Sequence, residues 1–387
     1  MISPELASLL EPLEHFEAIR RRAARLGGRL SDLSYANPYD GARASAREAL
    51  MLALTDEREL DLQYAPFGGQ TLSRRAAADA LSAEHGLPFT FREIVLTPGA
   101  MSALHLALRC AGQPGNEVVI PAPCWLDYPL YARALGLVTR MVPLTGDGFE
   151  LDVEAVEEAL SERSSALLLC HPANPTGRNY RPHVLAALGE ALARAEEQHG
   201  CRITLIADET HRDFVPAGKF VSAAQFHDRT VIVYSFGKYH FMQGQRLGYA
   251  AVSPRHPERE PTAEELVRWT RITGTATPTA LMQRALPRLL TIRHELDWLE
   301  RSRAELLDEL GESGYTAVEP DATLFIYVRT PADYDDDFAF IEELASRGVL
   351  ALPAPVFHHE GWFRLSLTGS EGMLAKALPA LRAVAAT

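Results

Sequence analysis

The chain of 387 residues has few cysteines and no long apolar segment. Its four cysteines, Cys110, Cys124, Cys170 and Cys201, are far apart and form no C-x-x-C pair, which argues against a zinc site and a disulfide framework. No apolar run approaches the roughly 20 residues that span a bilayer. The acidic N-terminus also lacks the basic and apolar regions of a signal peptide. We therefore predict a cytoplasmic protein that crosses no membrane and holds no metal.

Positive charge is scarce, and lysine is the rarer of the two strong cations. The net charge of −13 argues against a nucleic-acid partner, because phosphate contacts need clustered cations. Only Lys219, Lys238 and Lys376 are lysines among the 38 basic residues. We expect Lys219 and Lys376 to be solvated charges in a loop and on the last helix. Lys238 instead lies between an apolar strand and a glycine-rich turn, which indicates a chemical role for its amine.

The spacing of apolar residues predicts an α/β protein with two domains. A length of 387 residues is too great for one ordinary core. Seven short apolar runs are typical of strands buried on both faces. They are EIVLT, NEVVIPAP, GLVTRMVPL, SSALLLCHP, RITLIADE, TVIVYSF and RLGYAAVS. Helical patterns such as AMSALHLALRCA separate several of them, so we expect a large domain with a mainly parallel, seven-stranded sheet.

The pattern changes in the C-terminal third of the chain. A helical stretch begins near residue 263 and is followed by the strand TLFIYVR, a helix, the strands VLALP and WFRLSL, and a final helix. This order predicts a smaller α+β domain. The predicted boundaries are residues 46–285 for the large domain and 286–387 for the small domain, which an N-terminal segment, 1–45, joins.

Four of the predicted strands end in polar or glycine-rich segments. In an open α/β sheet the carboxyl ends of the strands meet in one crevice, where ligands bind. LTPGAMSAL follows the first strand, HPANPTG the fourth, ADETHRDF the fifth and SFGK the sixth. The crevice would therefore hold a helix start, an amide, a carboxylate and an amine. The residues that supply them are Gly99, Ala100, Met101, Asn174, Asp208 and Lys238.

One ligand explains this set of groups, namely a phosphorylated, pyridine-based carbonyl compound. The Lys238 amine would form a Schiff base with its carbonyl, and Asp208 would keep the pyridine nitrogen protonated. Asn174 would bond to the ring hydroxyl. The helix start, Ser235 and Arg246 would hold the phosphate. The residues therefore predict a cofactor of this chemical class.

Six segments resemble a known family. They are YAPFGGQTLSRRAAADAL, TPGAMSAL, NPTG, ADET, SFGKYHFMQGQRLGY and FRLSL. In this order and at this spacing they resemble the fold type I pyridoxal-phosphate enzymes, specifically the class I/II aminotransferases. NPTG alone is only a plausible turn, but the six together are specific and extend over nearly the whole chain. The resemblance implies the aminotransferase-like fold, with pyridoxal 5'-phosphate as the cofactor.

The resemblance also implies roles for residues that no pattern singles out. Trp125 would stack on the cofactor ring, and His211 takes the place of a tyrosine that reaches the ring hydroxyl. Tyr64 resembles a tyrosine that contacts the phosphate of a neighbouring subunit, which implies a homodimer with shared active sites. Arg364 would bind the substrate carboxylate. Ala36 replaces a glycine in the loop that approaches the substrate.

The expected reaction moves the amino group of an amino acid to a keto acid, with Lys238 as the base that takes the Cα proton. An alternative is a pyridoxal-phosphate lyase or cyclase that acts by β/γ-elimination on a specialised amino acid, which His211 and Ala36 allow. A catalytically silent, regulatory relative is disfavoured because Lys238 and Asp208 are both present. Nothing in the sequence identifies the side chain of the substrate.

Adjacent histidines occur in the segment FHHEGWF, just before Arg364. We predict that this segment is extended, so that His358 and His359 point to opposite sides and do not share a metal ion. We expect one of them to line the substrate pocket instead.

Overall fold

The computed structural model describes residues 2–37, 44–55, 63–216 and 218–385. Its strands, numbered in chain order, are β1 (Ser31–Asp32), β2 (Ile94–Thr97), β3 (Glu117–Ala122), β4 (Val138–Pro143), β5 (Ser164–Cys170), β6 (Thr204–Asp208), β7 (Thr230–Ser235), β8 (Gly248–Val252), β9 (Phe325–Arg329), β10 (Val349–Leu350), β11 (Leu352–Pro353) and β12 (Trp362–Ser366). Strands β2 to β8 form one sheet in the order β2-β8-β7-β6-β5-β3-β4. This confirms the predicted seven-stranded sheet.

The α-helices are α1 (Pro4–Ala23), α2 (Ala44–Thr55), α3 (Thr71–His85), α4 (Ala100–Ala111), α5 (Asp127–Ala134), α6 (Val153–Ala159), α7 (Pro182–His199), α8 (Phe236–Tyr239), α9 (Arg259–Ile272), α10 (Ala280–Leu289), α11 (Asp297–Glu312), α12 (Asp337–Ser346) and α13 (Glu371–Ala385). The long helical stretch predicted after residue 263 is therefore interrupted, because α9, α10 and α11 are separate helices. In the parts of the chain listed above, no helix is long and apolar enough to cross a membrane.

Most strands of the large sheet are buried on both faces, which explains why they are continuous apolar runs. The edge strand β4 is the exception, because most of its residues are at least partly exposed. In β7, Val231 and Val233 pack in a cluster with residues of α4 and α9. Ile232 and Tyr234 pack on the opposite face, in a cluster with residues of α3 and α10. Successive side chains of a strand point to opposite faces, so both sets must be apolar.

Strand β8 runs antiparallel to both of its neighbours in this sheet, β2 and β7. Helix α8, which follows β7, is only four residues long, whereas a parallel connection needs a crossover that is usually a full helix. The chain therefore returns directly along β7, and Ser235 pairs with Gly248. As a result, the carboxyl end of β7 and the amino end of β8 lie side by side, with Lys238 and Arg246 in the connection between them.

The C-terminal elements form a three-stranded antiparallel sheet in the order β11-β12-β9. The segment VLALP, predicted as one strand, is divided between two sheets. Val349 and Leu350 pair in parallel with Ser31 and Asp32 of β1, and β11 pairs with β12. The division ties the N-terminal segment to the C-terminal elements, while the domain boundaries themselves stay a prediction.

Candidate active site

A cleft with a cavity volume of about 140 Å³ lies at the carboxyl edge of the large sheet. Its walls include nine of the residues proposed from the sequence. They are Ala100, Met101, Trp125, Asn174, Asp208, His211, Ser235, Lys238 and Arg246. Residues from six segments of the chain thus meet at the predicted edge, because parallel strands end there together. Lys219 and Lys376 are exposed.

Lys238 is placed in the cleft by the short helix α8. This helix begins directly after β7, where the Ser235 hydroxyl accepts a hydrogen bond from the Gly237 N–H (3.3 Å). Burial, followed by the charges of Arg364 and Arg246, lowers the pKa of Lys238 from 10.5 to about 8, although Asp208 acts in the opposite direction. A substantial fraction of the amine is therefore neutral near physiological pH, as a nucleophile or base requires.

Asp208 ends β6 and is buried. Its carboxylate accepts hydrogen bonds from the Tyr128 hydroxyl (2.7 Å) and the Thr210 N–H (3.0 Å). Burial raises the pKa of Asp208, and these hydrogen bonds lower it. No salt bridge to Asp208 exists within the described residues. A buried carboxylate in this situation favours a cationic ligand.

Arg364 lies on β12 and is buried. Its Nη1 donates to Asn174 Oδ1 (2.8 Å) and its Nη2 to the Ser34 carbonyl (2.7 Å), while its Cζ lies 3.8 Å from the centre of the Phe325 ring. Its Nε is buried with no partner in the described chain. Burial lowers the pKa of Arg364 from 12.5 to about 9. The guanidinium thus has donors that an anionic ligand can use.

His211 follows β6, is buried and lines the cleft. Its pKa is lowered well below 6.5 by burial, and further by Lys238 and Arg364. The imidazole is therefore neutral at physiological pH. Nδ1 has no hydrogen-bond partner among the described residues, and the ring lies edge-on to Phe325, with 5.4 Å between centroids.

The turn from β2 to α4 forms the end of the cleft beside Arg246. Gly99 precedes the helix with φ 86° and supplies no side-chain cap, so N–H groups of the first turn are available to an anion. A Cβ at Gly99 would lie 2.7 Å from Arg246 Nη2, which shows how closely the arginine approaches the turn. Arg246 Nη1 donates to the Gln243 carbonyl (2.8 Å).

Two other proposed residues are placed differently. Ala36 is buried beside the cleft, and its carbonyl accepts a hydrogen bond from Gln243 Nε2 (2.7 Å). Tyr64 does not line the cleft of its own chain, and its relative exposure is 106%. The position of Tyr64 therefore gives no support to a role for it in the cleft of its own chain.

Some contacts at the site were missed in the sequence. Tyr128 bonds to Asp208 and lies 5.5 Å from Trp125 between ring centroids. It also lines the cleft. Helix α5 begins only at Asp127, after Trp125, so helical spacing in the segment APCWLDYP gave no signal for Tyr128. Gln243 and Ser34 had no such signal either.

The segment with adjacent histidines is not extended, so the prediction of an extended conformation was wrong. Residues Ala354–Phe357 form a 3-10 turn, and His358 has φ 59°. His358 Nε2 contacts the Leu126 carbonyl (3.0 Å) and His359 Nδ1 contacts the Tyr327 hydroxyl (3.0 Å). Neither histidine lines the cleft described above. Within the described residues, no cluster of potential metal ligands exists.

The donor set fits pyridoxal phosphate. Asp208 is a buried acid that forms no salt bridge with any described residue, which suits a protonated pyridine nitrogen. Lys238 is a partly neutral amine, suited to an aldehyde. Arg246 and the uncapped start of α4 suit a phosphate.

A sequence model described as Aminotransferase class I and II matches residues 31–381. The chain belongs to this family. It is 30% identical over 364 residues to the aspartate/prephenate aminotransferase of Thermus thermophilus, covering 92% of this chain and 90% of that protein. It is 31% identical over 344 residues to a probable aspartate/prephenate aminotransferase of Aquifex aeolicus, covering 86% and 85%.

Solved structures agree with this membership. An aspartate aminotransferase from Thermus thermophilus with maleate has a TM-score of 0.85 and 28% identity, covering 95% of this chain and 96% of that chain. An aspartate aminotransferase from Thermotoga maritima has a TM-score of 0.88 at 23% identity, covering 100% of both chains, which supports the fold alone. The aminotransferase is therefore a pyridoxal-phosphate enzyme with the fold type I architecture, and no relative favours the lyase or cyclase alternative.

Proposed function

We propose that this aminotransferase exchanges an amino group between an α-amino acid and a 2-keto acid at the cleft that contains Lys238 and Asp208, with Arg364 beside it. The observation that carries the proposal is that Lys238 and Asp208 line one cleft, and that Arg364 hydrogen-bonds to Asn174 in the wall of the same cleft. Bound pyridoxal phosphate supplies an aldehyde and an electron-accepting ring. The chain supplies the groups that hold it and that move the proton.

Several side chains would hold the cofactor. Lys238 would bind its aldehyde carbon covalently, and Asp208 would pair with its ring nitrogen. Asn174 and His211 would contact the ring hydroxyl, and Trp125 would stack on the ring. The phosphate would contact Arg246, Ser235 and the helix start formed by Gly99, Ala100 and Met101.

Lys238 would act as the general base for the Cα proton of the amino acid. Its pKa of about 8 leaves a useful fraction of neutral amine, so that the proton would pass from Cα to the Lys238 Nζ. The neutral state of His211 avoids a third positive charge beside this amine.

Arg364 would orient the substrate through its α-carboxylate. A guanidinium fork matches two carboxylate oxygens, and burial strengthens the interaction. The Asn174 and Ser34 contacts of Arg364 fix its orientation before the substrate arrives. Ala36, in the segment that follows Ser34, would adjoin the bound substrate.

We further propose a homodimer with shared active sites, in which Tyr64 contacts the cofactor phosphate of the other subunit. Its complete exposure leaves it accessible to a second chain. Apolar side chains are also exposed in the same region of the sequence, namely Met51, Leu52, Leu54, Phe67 and Leu72. Contiguous exposed apolar surface is typical of protein interfaces.

Borohydride reduction tests the role of Lys238. The purified holoenzyme should show a cofactor absorbance that borohydride abolishes, and peptide mapping should find the tag on Lys238. A tag on Lys219 or Lys376, or a native protein that retains no cofactor, would overturn the proposal.

The reaction itself is tested with a panel of amino acids, including aspartate because the relatives are named for it. Holoenzyme without a keto acid should release one equivalent of keto acid and remain in an aminated form. Continuous release of keto acid with free ammonia would instead show elimination, and the transamination proposal would be wrong.

A further inference from the structure

Gln243 lies in the turn between Lys238 and Arg246 and lines the cleft. Its side-chain Nε2 donates to the Ala36 carbonyl (2.7 Å), and its main-chain carbonyl accepts from Arg246 Nη1 (2.8 Å). One residue therefore contacts both a candidate phosphate arginine and the chain beside the substrate. Neither contact was expected from the sequence.

The direction of the Gln243 amide is determined by its partner. With the amide reversed, its oxygen would face the Ala36 carbonyl at hydrogen-bond distance, and two acceptors repel each other. The remaining oxygen, Oε1, is buried and has no partner within the described residues. The side chain is thus held in the cleft wall by its one bond to Ala36.

The bond closes one end of a short stretch, which we call the anchoring segment (residues 31–36). The other end is attached to the C-terminal elements, where Ser31 pairs with Val349 and Ser366 N–H donates to the Leu33 carbonyl (2.8 Å). In the middle, the Ser34 carbonyl accepts from Arg364 (2.7 Å). The anchoring segment therefore spans from β10 and β12 to the turn that follows Lys238.

This connection has a consequence for Arg364. If the Ala36 end is released, the segment is held by the C-terminal elements and by α1, through the Arg20–Asp32 and Tyr35–Glu17 hydrogen bonds. The Ser34 carbonyl can then shift relative to the cleft. The guanidinium would then lose part of its fixed orientation toward the large sheet. A small displacement of a positioning group is enough to weaken substrate binding.

We propose that Gln243 is a positioning residue, which fixes the anchoring segment against the cofactor turn and thereby sets the orientation of Arg364 for the substrate. Because Gln243 would act on the substrate only through Arg364, its replacement should affect the affinity for the amino acid more than the turnover. The expected change in affinity rests on the proposed role of Arg364. The expected release of the anchoring segment does not depend on it.

Hydrogen exchange provides the first test, on the holoenzyme without substrate. Gln243→Met keeps the length of the side chain but removes the donor, and Gln243→Glu replaces it with an acceptor. Both variants should speed amide exchange in peptides covering the anchoring segment, with Gln243→Glu the faster. Gln245→Met is the matched control, since Gln245 is exposed in the same turn, and it should exchange like the wild type.

Kinetics provide the second test. Loss of one hydrogen bond should raise KM for the amino acid roughly 3- to 10-fold in Gln243→Met, with kcat, cofactor content and melting temperature close to wild type. Unchanged exchange in the anchoring segment would overturn the inference, and so would a loss of cofactor or stability with exchange raised throughout the chain. If exchange rises only in the anchoring segment but no form of the enzyme transaminates, the proposed function is wrong. The role of Gln243 in holding the anchoring segment is then still supported.

Discussion

Arg364 differs from the other arginines of the chain in its surroundings. It is buried against the rings of Phe325 and Phe357, and in the described chain it has no acidic partner. Two neutral acceptors, on Asn174 and Ser34, orient it. A buried cation without an anion is costly, so an anionic ligand gains more here than at the surface.

Replacing Arg364 should separate cofactor binding from substrate binding. We expect Arg364→Ala to keep the cofactor and to lose about 2–5 kcal/mol of amino-acid binding, or roughly 30-fold or more. Arg364→Lys should recover little, because an ammonium group cannot copy the planar fork. Spectral titration with amino acids measures the effect.

Arg329→Ala is the control, since Arg329 pairs with Asp147 at the surface of the same small sheet. A simple amine without a carboxylate should bind wild type and Arg364→Ala alike. If the amino-acid response of Arg364→Ala were intact, another arginine would have to bind the carboxylate.

The protonation of Asp208 depends on Tyr128. Burial raises the pKa of the carboxyl, whereas the hydrogen bonds from Thr210 and Tyr128 lower it. Tyr128→Phe removes one of these bonds and should raise the pKa of Asp208. An ionised Asp208 is needed to pair with a protonated ring, and ionisation is lost as the pH falls through its pKa.

The acid limb of the kcat/KM profile should therefore move to higher pH in Tyr128→Phe, while the alkaline limb stays in place. Tyr131→Phe is a matched control on the same helix, since its hydroxyl contacts Asp127 (3.3 Å) instead. An acid limb that moves equally in both variants, or in neither, would show that the Tyr128 hydrogen bond has no such effect.

Residues of the site were predictable from sequence where a local motif marks them. Lys238 and Asp208 follow apolar strands, and their positions at strand ends place them in one cleft. The hydrogen bonds between site residues were harder to predict, because some of them, such as Arg364 to Ser34, join residues 330 positions apart. No local pattern records such a pair, and the side-chain geometry arises only when the two parts of the chain pack together.

At the scale of elements, most strands of the large sheet were predictable because burial on both faces makes them short apolar runs. The edge strand β4 is partly exposed and contains Arg140. The segment VLALP was not predictable, because apolar residues alone do not reveal that Val349–Leu350 and Leu352–Pro353 pair with different strands. The histidine segment failed for a related reason. A single residue with positive φ, His358, ends the 3-10 turn, and histidine does not signal such a conformation.

The turn between β2 and α4 offers a test at this scale. Gly99 has φ 86° and ψ 175°, a region essentially reserved for glycine, where another residue costs about 1–3 kcal/mol. In Gly99→Ala the new methyl would also displace the Arg246 guanidinium. We expect cofactor affinity to fall at least about tenfold, equivalent to about 1.4 kcal/mol, measured by equilibrium titration of the cofactor.

Gly86→Ala controls for backbone strain. Gly86 also has a positive φ, 66°, but a Cβ there would meet nothing within 4 Å. This variant should lower the melting temperature without weakening the cofactor. Equal loss of affinity in both variants would mean that strain, rather than contact with Arg246, is the cause.

At the scale of the whole molecule, the sharing of the site between two subunits is a prediction. The domain boundaries and the cytoplasmic location also stay predictions. Of these predictions, the dimer is the one most directly linked to a structural observation. Tyr64 is exposed, although the resemblance of its segment to the family implies contact with a phosphate.

Hybrid dimers test whether the site is shared. Lys238→Ala and Tyr64→Ala would each be defective alone, because every site of either homodimer lacks one group. In a hybrid, one site combines an intact Lys238 with an intact Tyr64 of the other subunit, while the second site lacks both. Random exchange of equal amounts should thus restore about a quarter of wild-type activity, measured after subunit exchange is shown by mass spectrometry. If Tyr64 acted within its own chain, no hybrid site would be intact, and complete exchange would restore nothing.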